Sequence, residues 1–183
     1  MNLKGKHNVY NVMCAICFAI IKKVSIPKIR QAIIEFTPDK YRIELTKRIN
    51  EINFYNDSKS TNIASTLASV ETVKGAIILL LGGSKKGLDY EQLFEKMTKR
   101  VKHIFAFGEI ANDLEMANND KFKLTKCDNL NHAFDQAVRV AKKNDSVLLS
   151  PASASYDEFS NYIERGKAFD KKVMEYETQT AKR

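Results

Sequence analysis

Apolar residues recur along this chain in two rhythms, and the change from one to the other divides it. Over residues 8–22 and 27–36 they return in the manner of helices, with Pro27 placed for a first helical turn, and the Thr-Pro-Asp-Lys run at 37–40 reads as a linker. Beyond it, residues 42–47 and 52–55 show the β-branched and aromatic pattern of strands, joined as a hairpin across 47–51. A polar loop at 56–62 opens a helix that runs to about residue 73. Strands are expected at 76–81, 103–107 and 146–149, with an edge strand at 121–125. Helices are expected at 90–99, 110–118, 130–142 and 157–176, and residues 178–183 read as a disordered tail. Apolar strands alternating with helices predict an α/β fold: a Rossmann-like open, mostly parallel sheet of five to six strands with helices on both faces, preceded by a short helical piece.

The 183 residues are 44% hydrophobic, enough for one well-buried core with an appendage. Against 22 acidic residues stand 30 Lys plus Arg, a net charge of +8, but they are scattered and the aromatic residues do not interleave with them as in an RNA-binding motif. The excess reads as a solvated surface with some positive charge left for an anionic small molecule, and no nucleic-acid partner is expected. Residues 12–21 are apolar for about half the length of a membrane span and are bounded by Asn11 and Lys22, so they read as a core helix, with no membrane association. Cys14 and Cys17 form a C-x-x-C flanked by Met13 and Phe18; without a second ligand pair they read as packing residues of a buried helix, and no metal site is expected. Three cysteines without a preceding signal peptide point to a reducing cytoplasm.

Ligands of open α/β sheets gather where the strands end, and three polar loops lie there. The first, N-D-S-K-S-T-N at residues 56–62, brings a carboxylate, an ammonium and hydroxyls to the start of a helix, where free N–H groups suit an anion. Capping alone also uses Asp, Ser, Thr and Asn, but needs only one of them. The second, G-G-S-K-K-G at 82–87, offers backbone N–H groups and lysines to an anion; it also reads as a flexible turn, and it is not the phosphate loop G-x-x-x-x-G-K-[ST]. The third, S-P-A-S-A-S at 150–155, leaves backbone and hydroxyl groups open to a carboxylate. No G-x-S-x-G surrounds its serines, and His7, His103 and His132 stand in no triad-like context, so hydrolase chemistry is not expected.

In this order the three loops resemble the Mur ligase family, and within it the D-glutamate-adding branch. Residues 56–62 are similar to that branch's N-D-S-K-A-T-N, with Ser60 for the usual Ala. Leu81-Gly82-Gly83 with Lys86 and Asp89 resembles its L-G-G-x-x-K-x-x-D, and residues 148–159 resemble its L-L-S-P-A-x-A-S-x-D-x-F, followed by Tyr162, Arg165-Gly166 and Phe169. Upstream, residues 3–11 are similar to the L-x-G-x-H-N-x-x-N that closes the family's central ATPase domain, and Phe36 to Glu44 to its F-x-x-x-x-H-R-x-E linker, with Tyr41 where His is usual.

The resemblance implies two segments: 1–37 as the end of the central domain and 38–183 as the carboxy-terminal glutamate ligase domain. It implies Asn8 and Asn11 facing adenine, Arg42 and Asp57 facing the ribose and phosphates of ATP, and Lys59, with Asp57, at the nucleotide and reaction centre. Thr61 and Lys86 would hold one carboxylate of D-glutamate, and Ser155 with Tyr156 and Tyr162 the other. The implied reaction joins D-glutamate to UDP-N-acetylmuramoyl-L-alanine through an acyl phosphate, with ATP and magnesium as cofactors, neither bound tightly by this chain alone. No G-x-x-x-x-G-K-[ST] occurs here, so the chain reads as a fragment or a truncated reading frame, inactive alone and prone to self-association through exposed helices. A related Mur or folylpolyglutamate-type ligase domain and a stand-alone Rossmann-like binding module remain as alternatives.

Overall fold

Six consecutive residues, Ile77–Gly82, are all buried, and they form the strand around which the larger part of the chain is organised. The computed structural model describes residues 6–37 and 39–181, with side chains from Asn8 onward, so Leu3 to Gly5, Pro38, Lys182 and Arg183 lie outside the described residues. The chain separates into two units, residues 1–40 and 41–183.

The first unit holds α1 (Lys6–Ile21) and α2 (Ile26–Glu35). Both helices are as the periodicity predicts, and Pro27 lies in the first turn of the second, where its missing N–H has no helical partner to lose. The expectation of a buried core helix is corrected. Cys14 and Cys17 are exposed, and Met13 and Phe18 are 54% and 62% exposed. A helix hydrophobic on several sides needs several neighbours, and among the described residues of this unit Ile29 is the one hydrophobic residue that is buried. Among the described residues, no helix is long and apolar enough to cross a membrane.

The second unit runs β1 (Glu44–Ile49), β2 (Ile52–Asn56), α3 (Ile63–Thr72), β3 (Ile77–Gly82), α4 (Glu91–Lys96), β4 (Val101–Phe107), α5 (Ala111–Asn118), β5 (Leu124–Cys127), α6 (Leu130–Val140), β6 (Ser146–Ala152) and α7 (Tyr162–Thr180). The sheet order is β1-β2-β6-β3-β4-β5, parallel throughout except for the antiparallel β1 at one edge. Alternate residues of each strand point to opposite faces. Leu79, Leu81, Ile104 and Ala106 pack with Val70, Leu93 and Leu114 from α3, α4 and α5. Ile78, Leu80, Phe105 and Phe107 pack with Leu130, Phe134, Phe169 and Val173 from α6 and α7. This is the expected α/β sheet covered on both faces.

Boundaries move where local chemistry overrides periodicity. The hairpin turn is only Asn50-Glu51, both at positive φ (50° and 64°), with Ile49 paired to Ile52, so β1 reaches two residues further than its alternation suggests. The edge strand is Leu124–Cys127 and not 121–125, because Asn118 closes a turn onto both the N–H and the carbonyl of Phe122. Helix α4 stops at Lys96, with Met97 extended. Strand β6 continues through Pro151 to Ala152 after a register shift against β3 between Leu80 and Gly82, so half of the expected serine loop is strand. Helix α7 starts at Tyr162, where the Asn161 side chain accepts the N–H groups of Ile163 and Glu164, and it includes Thr178 to Thr180, which were expected in a disordered tail.

Phe54 is fully buried, with ring centroids 5.8 Å from Phe134 and 5.6 Å from Tyr176. Phe54→Ala is expected to cost about 3–5 kcal/mol in urea unfolding; a loss under about 1 kcal/mol would mean that this cluster does not anchor α6 and α7 to the sheet.

Candidate functional site

The last strand in sequence inserts between β2 and β3, so three adjacent strands, β2, β6 and β3, each end in one of the three polar loops. All three strands are parallel, and their loops leave the same carboxyl edge of the sheet.

The first loop is braced from below by two side chains. Asn56 Nδ2 donates to the Gly166 carbonyl and to Asp170 Oδ1, while its Oδ1 accepts the N–H of Ser58. Asp57 Oδ1 accepts the Ile43 N–H at 3.0 Å, and Oδ2 accepts the hydroxyls of Ser69 at 2.6 Å and Ser150 at 2.7 Å. Burial pushes the Asp57 carboxyl above its ordinary value, against the bonds from Ser60, Ser69, Ser150 and the Ile43 N–H, which pull it down.

Arg165, in the first turn of α7, enters the space between the loops with no exposed surface. Its Nε donates to Ser58 Oγ at 3.0 Å, one terminal nitrogen to the carbonyls of Ser58 and Ser153 at 3.0 Å each, and the other to those of Ala154 at 3.0 Å and Gly82 at 3.5 Å. Burial pulls this guanidinium down to about 10, with Asp157 and Glu158 opposing at longer range.

The second and third loops are also tied to each other directly. Ser84 N–H donates to the Ala154 carbonyl, Ser153 Oγ donates to the Ser84 carbonyl, and the Asp157 N–H donates to Ser84 Oγ. Asp157 Oδ2 accepts the Glu109 N–H, reaching the loop after β4. Gly83, at φ 135°, makes this approach possible: a Cβ there would collide with the Ala154 carbonyl and lie 3.0 Å from Arg165.

The residues expected to meet ligands fall into two sets. Lys59, Thr61 and Tyr162 are partly exposed. The Lys59 ammonium lies 5.8 Å from the Tyr162 ring centroid, and the Ser58 hydroxyl donates to the Tyr162 carbonyl, so the first loop and the start of α7 meet. Lys86, Tyr156 and Arg42 are exposed on their loops. Asn8 and Asn11, joined at 3.4 Å, belong to the first unit. Two expectations change. Asp57 is wholly buried with both oxygens occupied by protein donors, so in this fold its carboxylate braces the loop. The serines of 150–155 are not an open hydroxyl display: Ser150, Ser153 and Ser155 are all buried, and the Ser155 carbonyl receives the N–H groups of Glu158 and Phe159.

Two important side chains were given no role by the pattern. Arg165 appears in the motif, but five bonds to three separate loops leave no trace in spacing. Tyr41 is buried, its carbonyl accepts the Lys59 N–H at 3.0 Å, and a Cβ on Gly166 would meet its ring at 2.6 Å. It therefore seats the first loop against α7, a role that an aromatic ring beside a glycine in a distant helix reveals only once folded.

The Mur ligase, glutamate ligase domain model matches residues 41–153. A UDP-N-acetylmuramoylalanine--D-glutamate ligase of Koribacter versatilis is 35% identical over 182 residues, 100% of this chain and 40% of that protein. The chain thus spans about 40% of the length of the curated relatives it matches. Among solved structures, a pseudomurein peptide ligase type C from Methanothermus fervidus aligns with a TM-score of 0.74 at 18% identity, covering 94% of this chain and 37% of that one. A Mycobacterium tuberculosis folylpolyglutamate synthase complexed with ADP aligns at 0.71 and 13%, covering 92% and 41%. These structures share the fold.

Replacing Asp57 by Ala strands the Ile43 N–H and leaves the Ser69 and Ser150 hydroxyls with Ser65 and Thr66 as their remaining acceptors, and a loss of about 1–3 kcal/mol is expected in chemical denaturation. The raised Asp57 carboxyl also sets a sign. The folded state holds this proton to higher pH than the unfolded chain, whose carboxyl titrates near about 3.9, so stability falls as pH rises from there through the folded value. Asp57→Asn is expected to flatten that part of the stability–pH profile; an unchanged slope would show that another group causes it.

Proposed function

This chain belongs to the Mur ligase family, and on that premise we propose that residues 41–183 form the amino-acid-binding domain of a D-glutamate-adding ligase. The observation that carries the reading is the convergence of the N-D-S-K-S-T-N, G-G-S-K-K-G and 153–161 loops on one sheet edge, laced together by Ser58, Ser84 and Ala154. D-Glutamate bears two carboxylates and needs two sets of donors. Thr61 and Lys86 would take one, and Ser155 with the Tyr156 to Tyr162 segment the other, largely through backbone N–H groups, given the burial of Ser155.

In the proposed reaction a carboxylate of UDP-N-acetylmuramoyl-L-alanine is first phosphorylated by ATP. The D-glutamate amine, after losing a proton, then forms the amide bond as the C–O bond to phosphate breaks and inorganic phosphate leaves. This domain would hold the amine in line with the acyl carbon, which converts a bimolecular attack into an effectively intramolecular one. Lys59 would stand at the nucleotide and reaction centre, with Arg42, Asn8 and Asn11 toward ATP. Magnesium, when bound with ATP, would supply neutralisation of the transferring phosphoryl group. The phosphate-loop signature does not occur in the sequence, so phosphoryl transfer would draw on residues other than these, and the chain alone would be inactive. A cytoplasmic location goes with this reading, since its nucleotide substrates are made there. The folylpolyglutamate alternative shares the fold, but the N-D-S-K-S-T-N loop and the 35% identity favour the D-glutamate branch.

The test is a titration of the 183-residue chain with D-glutamate, followed by amide NMR, with L-glutamate as control. Saturable, stereoselective shifts near Thr61, Lys86 and Ser155 are expected, with Lys86→Ala weakening binding by about tenfold or more; no saturable shift at millimolar ligand would count against the acceptor-site reading. The apolar residues exposed on α1 and α2, among them Tyr10, Phe18 and Ile21, are expected to make the chain self-associate, seen as a concentration-dependent mass in light scattering. A mass that stays monomeric at every concentration would remove that proposal.

A further inference from the structure

We infer that Arg165 is the positioning residue of the amino-acid site, holding the two sets of carboxylate donors at the separation that a dicarboxylate requires. The inference rests on the acceptor-site reading and goes beyond it, because Arg165 is not one of the groups proposed to touch the ligand.

Each of its contacts adjoins one that is. Ser58, bonded through both its hydroxyl and its carbonyl, precedes Lys59 and Thr61; Gly82 opens the loop that carries Lys86; Ser153 and Ala154 precede Ser155. The five N–H donors of one rigid fork are thus distributed over all three loops, and none is left for solvent or ligand. Its partners are four carbonyls and a hydroxyl, so the charge is met by oriented dipoles and not by a hydrogen-bonded carboxylate. The fork is aimed by its own helix. Asn161 caps α7 four residues earlier, and the neighbouring Gly166 rests on the Tyr41 ring, which fixes the rotation of the first turn. A lysine would keep the charge but place its donors on one atom, unable to span three loops.

The role separates from general stability by ligand choice. A residue that only stabilises the fold affects every ligand alike, whereas one that sets the distance between two donor sets affects the dicarboxylate selectively. Affinities for D-glutamate and for D-norvaline, which replaces the side-chain carboxylate with a methyl group, are to be measured by NMR titration of the 183-residue chain and of Arg165→Lys and Ser58→Ala. Ser58→Ala removes only a hydroxyl and serves if Arg165→Lys fails to fold. The expected result is a D-glutamate affinity weakened at least about tenfold in Arg165→Lys and about threefold in Ser58→Ala, with D-norvaline binding changed much less. D-glutamate affinity at the wild-type level in a folded variant, or equal losses for both ligands, would overturn the inference while leaving the acceptor-site reading intact. Failure of the unaltered chain to bind D-glutamate would overturn that reading and the inference with it.

Discussion

A single buried guanidinium ties together the three polar loops at the carboxyl edge of the sheet. Arg165 has no exposed surface and no carboxylate among its hydrogen-bond partners, so the cost of removing its charge from water is offset by four backbone carbonyls and one hydroxyl. Those acceptors belong to loops from three different strands, and a loop carbonyl that is not held by another strand or helix needs such a donor. One side chain therefore supplies donors to backbone carbonyls of all three loops, among them that of Ala154, which also accepts the Ser84 N–H.

That arrangement is available because of the strand order. With β6 between β2 and β3, the loops of residues far apart in sequence emerge side by side, and an arginine at the start of the helix that follows β6 can reach all of them. Asp57 does for the first loop what Arg165 does for the three together: it gathers Ile43, Ser69 and Ser150 around a buried carboxylate. Beneath both, the strands are apolar and buried on both faces, packed against helices on either side.

The same fold recurs in structures only 13–18% identical, among them a pseudomurein peptide ligase and a folylpolyglutamate synthase. The sheet is therefore a fold that widely different sequences adopt. Here the loops keep Lys59 partly exposed and Lys86 exposed, while their serines are buried and bonded to protein, Ser58 and Ser153 to backbone carbonyls and Ser150 to Asp57. Positive charge stands at the surface of these loops, and the polar groups that shape them are buried.

The sequence by itself determined the element types, the double-sided sheet and the position of three polar loops at strand ends, because apolar period and loop polarity are local properties read along the chain. It also contained the motif resemblance that the family match at residues 41–153 bears out. It misjudged positions where the decisive partner is distant: the serines of residues 150–155 looked open until Asp57 and Ser84 met them, and apolar residues of α1 such as Met13 and Phe18 looked buried but are exposed. Asp57 read as a ligand group, since a carboxylate in a polar loop looks the same whether it points out or in. Only the tertiary structure decided that direction, and only it revealed Arg165 as the joint of the three loops, because a hydrogen bond spanning 107 positions in sequence is set by the order in which strands pair.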